Sequence, residues 1–334
     1  MSTNPGPKPS VLVFATGGTI GMRSTDNGLA PDPDFPEILE ALIADIATPL
    51  GINWRINHLH PSIDSANADA STAPRIARAI RARVRTQRPR GVVITHGTDT
   101  LAYTASRLAF DLADLGVPVV VTGSQFPHGA DNTDAIANLT LALRTAARAA
   151  LGSPVSIVFG GAILPAVRTT KHSSTSLTAF EAALPLASQP SGTPKLLAEP
   201  DSRNPVRVLS FRFVPGVTAE DVRAAVGGKP DGLVLECYGS GNAPMARPGM
   251  LGVLREICSE IPVLAITQCA TGGVDLARYA VGHELAAAGV LDGSDLTLEA
   301  AIAKLGYLLD AGFRGEDLAQ LLSRNLVGEC VTRG

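Results

Sequence analysis

The hydrophobic pattern of the first half of the chain alternates between short apolar runs and longer amphipathic stretches. Runs typical of buried parallel strands occur at residues 11–15, 91–95, 117–121 and 156–159. Between them apolar residues recur at helical spacing, which predicts helices at residues 36–43, 73–84, 101–112 and 130–150. Strands that alternate with helices predict an α/β domain built on a mostly parallel sheet flanked by helices.

The periodic pattern disappears between residues 184 and 207, where prolines are mixed with serine and glycine. Beyond it the alternation resumes, with strands expected at 206–211, 232–236 and 263–267 and helices at 219–226, 251–256, 298–310 and 316–323. We therefore predict a larger N-terminal α/β domain over residues 1–184, a linker over 185–207 and a smaller C-terminal α/β domain over 208–334.

Composition narrows the range of functions. The chain has 334 residues, 45% of them hydrophobic and 18% charged, and a net charge of −3. These values argue against a disordered chain and against a dedicated binder of nucleic acid or of anionic membranes. Aromatic residues make up only 4%, so aliphatic side chains must fill the core, as they do where helices pack on buried strands.

Cysteine usage and the apolar runs bear on the compartment. None of the four cysteines has the two-residue spacing of a zinc or thioredoxin-type site, and we interpret them as buried thiols in a reducing compartment: Cys237, Cys258, Cys269 and Cys330. No apolar run is long enough for a signal-peptide core or a membrane span. The expected location is cytoplasmic.

Threonine and glycine follow two of the predicted strands. Residues 16–19 read Thr-Gly-Gly-Thr, and residues 95–100 read Thr-His-Gly-Thr-Asp-Thr. Glycine lets backbone N–H groups approach a ligand, and a threonine hydroxyl serves as a nucleophile, an orienting group or a helix cap. For either turn alone, capping is favoured over catalysis. Neither turn has the Gly-Lys-Ser/Thr ending or the glycine spacing of a nucleotide loop.

Lys171 and His96 are further candidates for chemistry. Lysine is scarce in this chain, and Lys171 stands in a stretch rich in hydroxyl residues; it is a candidate general base, with a surface lysine as the alternative. The position of His96 suits a general base that activates a nucleophile. It suits a residue that forms a hydrogen bond within its own turn equally well. The histidines show no pattern of metal ligands, and no metal is expected.

Taken together, these motifs resemble the bacterial-type L-asparaginases, most of all the cytoplasmic type I enzymes. The two family signatures are residues 15–20, Ala-Thr-Gly-Gly-Thr-Ile, and residues 94–100, Ile-Thr-His-Gly-Thr-Asp-Thr. The family's lysine corresponds to Lys171. Further matches are Asp64-Ser65 and residues 122–125, 238–244 and 267–269, so the resemblance extends over almost the whole chain.

The resemblance implies a mechanism without a cofactor. Thr19 would attack the side-chain amide of L-asparagine, ammonia would leave, and water would hydrolyse the acyl-enzyme to L-aspartate. Thr98, Asp99 and Lys171 would form a second catalytic cluster that moves the proton. Backbone N–H groups of the two turns would stabilise the oxyanion, and Ser65 and Asp99 would hold the α-carboxylate and the α-amino group. The implied substrate-binding set is Gly18, Asp64, Ser65, Gly97, Thr98, Asp99 and Ser124.

The resemblance also implies a homo-oligomer, a dimer or tetramer, with sites near subunit interfaces. Asp275 stands near the place of an acidic residue that some members send into a neighbour's site. The segment with Gly239, Gly241 and Asn242 resembles the one that completes that site, although a turn after a strand would read the same. A stretch with Cys269 corresponds to one that contributes to an asparagine effector site in type I relatives.

One departure concerns the lid after the first motif. The family has a tyrosine there that contacts the nucleophile, whereas this chain has Leu29. We hypothesise that Thr25, Ser24 or the Lys171 cluster alone handles the proton. The alternative functions are a glutaminase–asparaginase of relaxed specificity and a catalytically impaired relative that only binds its ligand. An amidotransferase subunit acting for tRNA-bound glutamate is not expected, because its extra N-terminal domain has no room before residue 11.

Overall fold

The computed structural model describes residues 9–148, 153–188, 190–194 and 204–331. The chain divides into two compact units, residues 1–182 and residues 183–334. The helices of the first unit are α1 (Phe35–Ala47), α2 (Thr72–Gln87), α3 (Leu101–Asp111) and α4 (Ala135–Ala146). Its strands are β1 (Ser10–Ala15), β2 (Met22–Thr25), β3 (Gly28–Pro31), β4 (Asn53–His58), β5 (Gly91–Thr95), β6 (Val119–Thr122), β7 (Val155–Phe159), β8 (Ala162–Pro165), β9 (Thr170–Lys171) and β10 (Phe180–Glu181).

Six of these strands form one sheet in the order β4-β1-β5-β6-β7-β8. All neighbouring pairs are parallel except β7 with the edge strand β8. The strand order reverses between β1 and β5, since β4 continues on one side of β1 and the later strands on the other. In open α/β sheets a ligand binds at such a reversal, outside the carboxyl ends of the two strands.

The core of the first unit explains why the central strands β1, β5, β6 and β7 are mostly apolar. Val11, Val13 and Val93 point to one face of the sheet and are buried there with Leu39 of α1 and Leu139 of α4. Neighbouring residues of a strand point to opposite faces, so the other buried half of each strand lies on the opposite face, where α3 contacts β6 and β7 and α2 packs against α3. The prediction of an α/β fold with a mostly parallel sheet is confirmed.

The second unit has a four-stranded parallel sheet, β11-β12-β13-β14, flanked by helices. Its strands are β11 (Val208–Arg212), β12 (Gly232–Cys237), β13 (Val263–Thr267) and β14 (Leu291–Asp292). Its helices are α5 (Ala219–Ala225), α6 (Met250–Glu260), α7 (Ala280–Ala287), α8 (Leu298–Asp310) and α9 (Gly315–Leu322). Gly232 has no room for a Cβ, which would lie 2.9 Å from Leu305 of α8; this glycine lets α8 lie close to the sheet.

Several elements differ from the sequence predictions. The helix expected from residue 130 begins at Ala135, because residues 127–133 form turns and the Asp134 carboxylate accepts the backbone N–H groups of Gln125 and Phe126. Residues 149 and 150, at its expected end, lie outside the described residues. The hairpin β2–β3, strand β4, the short strands β8, β9, β10 and β14, and helix α7 were not predicted.

The predicted linker is described in part, since residues 189 and 195–203 lie outside the described residues. Within the second unit, Ala187 and Ser191 donate backbone hydrogen bonds to Gly328 (3.0 Å) and Asn325 (2.8 Å). The role of residues 185–207 as a linker stays a prediction. Within the described ranges, no helix combines the length and apolar character needed to cross a membrane.

The prediction of four buried thiols is wrong for two of them. Cys237 and Cys330 are buried, Cys258 is half-buried and Cys269 is exposed. Burial raises the pKa of the Cys237 thiol to about 12 and that of the Cys258 thiol to about 11. Cys269 is exposed because it follows the end of β13, where its backbone N–H bonds the Thr267 hydroxyl in a surface turn (3.1 Å).

Candidate active site

The two threonine–glycine turns leave the sheet side by side. Ala15 of β1 lies opposite Thr95 of β5 in the parallel ladder, so the turn after each strand begins at the same sheet edge. Thr16 fastens the two ends together: its backbone N–H and its hydroxyl both donate to the Thr95 carbonyl, at 3.3 and 2.7 Å. This is the point where the strand order reverses, and thus the expected ligand site.

Glycine is required where the two turns touch. A Cβ on Gly18 would lie 2.4 Å from the Gly97 nitrogen, and a Cβ on Gly97 would lie 2.3 Å from the Ser65 Oγ. Gly18 also has a φ of +97°, a value that other residues rarely adopt. The backbones of Gly18 and Gly97 and the Ser65 side chain therefore pack against one another, with Thr19 and Thr98 each one residue further along.

Thr19 begins a short 3₁₀ turn, Thr19–Gly21, and is half-buried. The Gly21 N–H donates to the Gly18 carbonyl at 3.0 Å, which fixes the turn to the glycine that precedes Thr19. A side chain at the start of such a turn lies beside backbone N–H groups that have no partner within the turn. The local structure thus presents a hydroxyl group together with backbone donors.

Lys171 lies against the second turn. Its Nζ donates to the Thr98 Oγ1 at 2.9 Å and forms a salt bridge with the Asp99 Oδ1 at 2.8 Å. The Lys171 side chain is 20% exposed, whereas that of Asp99 is 63% exposed. The two-residue ladder of β9 with β10 holds this lysine in place, with Lys171 opposite Phe180. Lys171 is therefore engaged with a hydroxyl and a carboxylate and is not a free surface lysine.

Ser65 and Asp64 belong to a third segment beside the two turns. Ser65 is buried, and its carbonyl accepts a hydrogen bond from the Thr100 hydroxyl at 2.8 Å. The Asp64 carboxylate is occupied locally, since it accepts from the Ala66 N–H (3.1 Å) and the Asn67 Nδ2 (2.8 Å). Asp64 thus stabilises the turn that presents Ser65.

Ser124 follows β6, and the structure places its hydroxyl inside its own loop. The hydroxyl is buried and donates to the Phe126 carbonyl at 2.5 Å. The next residue, Gln125, reaches across to the loop after Lys171, where its side-chain amide donates to the Ser174 carbonyl (2.5 Å). The loop after β6 is therefore tied to the segment that carries Lys171.

His96 makes the hydrogen bond within its turn that the sequence left as one of two alternatives. Its Nδ1 lies 2.8 Å from the Gly97 carbonyl oxygen, which can only accept, so Nδ1 carries the hydrogen. The ring is buried, and this burial lowers the pKa of His96, so the ring is neutral near pH 7. His96 therefore orients the Gly97–Thr98 peptide.

Comparison with known proteins follows the same division of the chain. Residues 10–200 match the family model described as "Asparaginase, N-terminal", and residues 207–322 match "Glutaminase/Asparaginase C-terminal domain". The chain belongs to the asparaginase family. It is thus related to hydrolases that act on amides.

Relatives in this family match over nearly their full length. The chain is 35% identical to "L-asparaginase 1" of Escherichia coli (strain K12), covering 96% of this chain and 98% of that protein. The solved L-asparaginase of Thermococcus kodakarensis superposes with a TM-score of 0.83 at 34% identity, covering 97% and 100%. L-asparaginase I of Vibrio cholerae gives a TM-score of 0.80 at 31% identity, covering 97% and 99%.

The segment expected to form the lid is the hairpin β2–β3 in this asparaginase-family member. Leu29, at the expected tyrosine position, lies opposite Ser24 in the hairpin and is 50% exposed. The Thr25 hydroxyl closes the hairpin turn by donating to the Gly28 carbonyl at 2.7 Å. Of the two candidate lid hydroxyls, that of Thr25 is thus already used by the turn.

In the second unit, residues 238–242 form a tight turn. The N–H groups of Gly241 and Asn242 both donate to the Tyr238 carbonyl, and the Asp275 N–H donates to the Ser240 carbonyl (2.9 Å). Gly241 has a φ of +113°, which explains the glycine. A turn after a strand therefore accounts for the residues of this segment. Its role in a neighbouring subunit stays a prediction.

Sequence reasoning missed two residues that shape this asparaginase-family site. One is Gln125, which was seen only as part of a motif. The other is His128, which contacts the turn of Thr19 and was considered only as a metal ligand. In both cases the signal available was a polar residue in a loop directly after a buried strand. Within the described residues, no cluster of three or more metal-ligating side chains occurs.

Proposed function

We propose that this protein hydrolyses the side-chain amide of L-asparagine to L-aspartate and ammonia, with Thr19 as the nucleophile. The observation that carries the proposal is the contact between Gly18 and Gly97. It makes Thr19 and Thr98 the next residues on two touching turns, and Thr98 is hydrogen-bonded to Lys171. Family membership supplies the reaction class.

In the proposed reaction the Thr19 oxygen attacks the amide carbon and forms a tetrahedral intermediate. Backbone N–H groups of the two turns stabilise its oxyanion, at about 3 kcal/mol for each well-placed donor. The C–N bond then breaks as the leaving nitrogen takes up the proton released by the Thr19 hydroxyl, ammonia departs, and an acyl-enzyme ester remains on Thr19. Water attacks this ester and releases L-aspartate.

A threonine hydroxyl is a weak nucleophile until its proton can move to another group. The Lys171–Thr98 hydrogen bond provides a route for that proton: when Lys171 passes a proton to the Asp99 Oδ1, its Nζ can take the Thr98 hydroxyl proton, while the Thr98 oxygen takes the proton of Thr19. The Asp99 carboxylate orients Lys171 through its Oδ1. In this scheme Thr98, Asp99 and Lys171 act as one unit, without the missing lid tyrosine.

Substrate binding is assigned to the groups around this unit. Asp99 is paired through one oxygen and remains 63% exposed, so its carboxylate can also hold the α-ammonium group of the substrate. Ser65 holds the α-carboxylate. Gly18 and Gly97 contribute backbone, while Asp64 and Ser124, whose side chains bond within their own loops, shape the binding surface.

The test is ammonia release from L-asparagine, L-glutamine and D-asparagine by the purified protein. We expect turnover of L-asparagine, and complete loss in Thr19→Val, which removes the hydroxyl at nearly constant volume. The control Thr19→Ser keeps a hydroxyl and retains measurable turnover. No ammonia from any amide would refute the activity, and a fully active Thr19→Val would refute the nucleophile.

The same assay separates the alternatives. Comparable rates on both amides would identify a glutaminase–asparaginase, since one methylene changes discrimination by only about 1–3 kcal/mol. If isothermal titration calorimetry detects binding of L-asparagine but the assay detects no ammonia, the protein is a catalytically impaired relative. We further propose that the protein is cytoplasmic. We also propose that it forms a homodimer or homotetramer, an oligomeric state that light scattering would measure.

A further inference from the structure

The Ile20 carbonyl lies one residue after the proposed nucleophile, and His128 forms two hydrogen bonds with it. The His128 backbone N–H lies 3.4 Å from the Ile20 oxygen, and the ring Nδ1 lies 3.0 Å from the same oxygen. A carbonyl oxygen has two acceptor positions and no hydrogen to donate. The Nδ1 therefore carries a hydrogen and donates it to the turn of Thr19.

The other edge of the same ring faces the base of the lid. The His128 Nε2 lies 4.0 Å from an Asp32 carboxylate oxygen, and both side chains are mostly buried, at 14% and 10% exposure. Asp32 directly follows β3, the second strand of the hairpin, and its backbone N–H donates to the Gly21 carbonyl at 2.9 Å. One imidazole thus lies between the turn of the nucleophile and the point where the hairpin ends.

The ring has little freedom to leave this position. Phe35 packs on it with ring centroids 5.5 Å apart, and the same phenyl ring covers Gly21, where a Cβ would lie 2.7 Å from the Phe35 Cδ1. Gly21 closes the Thr19–Gly21 turn. The phenyl ring therefore restricts His128 and the turn together.

We infer that His128 is a positioning residue for the hydrolysis: through its Nδ1–H it fixes the Ile20 carbonyl and thereby the angle at which Thr19 is presented to the substrate. The inference rests on the proposed function, in which Thr19 is the nucleophile. Misplacement of a reacting group by about 1 Å costs up to roughly 10²-fold in rate. Loss of the hydrogen bond should thus lower kcat, while KM changes little because Ser65 and Asp99, which hold the two charged groups of the substrate in the proposed function, lie on other segments.

Two amide variants separate the hydrogen bond from the packing. His128→Asn places an amide nitrogen near the position of Nδ1, whereas His128→Gln places its amide near the position of Nε2. If the Nδ1 hydrogen bond matters, Asn retains kcat within about threefold and Gln loses about tenfold or more, as does Leu. If the ring only fills space against Phe35, the order reverses, because Asn is the smaller side chain and leaves the larger gap.

The experiment measures kcat and KM for L-asparagine in wild type, His128→Asn, His128→Gln, His128→Leu and Thr19→Val, with a thermal unfolding curve for each. The inference is supported if kcat falls at constant KM in His128→Gln and His128→Leu, while His128→Asn stays close to wild type. Equal kcat in all three His128 variants, or a loss greatest in Asn, overturns it. An active Thr19→Val refutes the nucleophile instead, so the two failures are distinguishable.

Discussion

In the described part of the chain, two lysines form a salt bridge of 2.8 Å with a carboxylate, in two very different settings. In the first unit Lys171 pairs with Asp99, with side chains 20% and 63% exposed. In the second unit Lys304 pairs with Glu329, and both side chains are fully buried. The pair distance is the same, so the surroundings must decide what each pair does.

The Lys304 pair is saturated with hydrogen bonds. Lys304 Nζ also donates to the carbonyls of Leu322 (2.8 Å) and Arg324 (2.5 Å), and the Glu329 carboxylate accepts the N–H groups of Leu326 and Val327. A buried ion pair is tolerated only when its remaining donors and acceptors are satisfied in this way. The pair thus fastens residues 322–329 to helix α8.

The Lys171 pair leaves one side open. Apart from Asp99, Lys171 Nζ contacts the Thr98 hydroxyl, a group that both accepts and donates. Asp99 keeps most of its surface for another partner. The comparison teaches that an incompletely enclosed ion pair can accept a further partner, as the proposed mechanism requires, whereas a pair whose donors and acceptors are all occupied serves the fold.

The largest expected effect comes from Lys171→Met. If Lys171 moves the proton of the nucleophile, kcat falls by roughly 10²–10⁴-fold, while the free energy of unfolding changes by less than about 1 kcal/mol because Asp99 remains in water. Steady-state ammonia release and urea unfolding measure the two quantities. The matched control is Lys229→Met, an exposed lysine of the second unit, which should change neither.

Two outcomes would break this half of the comparison. Wild-type kcat in Lys171→Met would remove Lys171 from the reaction. A large loss of stability would show that this pair holds the fold, as the Lys304 pair does.

Lys304→Met should have the opposite profile. It leaves the Glu329 carboxylate buried without its cation, which costs roughly 3–5 kcal/mol of stability. The buried thiol of Cys330, 3.6 Å from Lys304 Nζ, should then become open to an alkylating reagent, while exposed Cys269 reacts in both proteins. Urea unfolding and mass spectrometry of the labelled peptides measure these effects.

The double variant Lys304→Met with Glu329→Leu sharpens the same test. Replacing both members of a buried pair by apolar groups is often neutral or stabilising, so it should recover much of the lost stability. A single variant as stable as wild type, with Cys330 still unreactive, would contradict the role assigned to this pair.

The two lysines also show how far sequence reasoning reaches. Lys171 was found because it stands among hydroxyl residues in a chain with few lysines. Lys304 was not, although helix α8 coincides with the predicted residues 298–310. Its partner Glu329 lies 25 residues further along the chain, in an irregular segment. No periodic pattern in the sequence indicates such a contact. A lysine among apolar residues in the middle of a helix is the available signal.

The fold likewise contains elements that the sequence predicts and elements that it does not. Strands β5 and β13 coincide with their predictions because each is an apolar run that ends in a threonine. Helix α8 does so because the Thr297 hydroxyl caps it by accepting from the Ala300 N–H. Both strands of the hairpin β2–β3 are mostly exposed, so the hairpin carries no pattern of burial. The pair β9–β10 has two residues in each strand, and only tertiary contacts define it.

The smallest expected effect concerns His96, a buried titratable group without a charged partner. Its pKa is lowered from the ordinary value of 6.5 by burial, so below pH 6.5 the unfolded chain binds a proton that the folded chain does not. The free energy of unfolding should therefore fall as the pH drops below 6.5, by at most about 1.4 kcal/mol per pH unit, and show no contribution from His96 above it.

The comparison of wild type with His96→Asn isolates this group. Asparagine can keep the donor to the Gly97 carbonyl but does not titrate, so its free energy of unfolding should fall less steeply between pH 6.5 and 5 in urea titrations. The other five histidines contribute equally to both proteins and cancel in the difference. Equal slopes would mean that His96 gains its proton as readily when folded, and thus that burial without a partner does not keep this ring neutral.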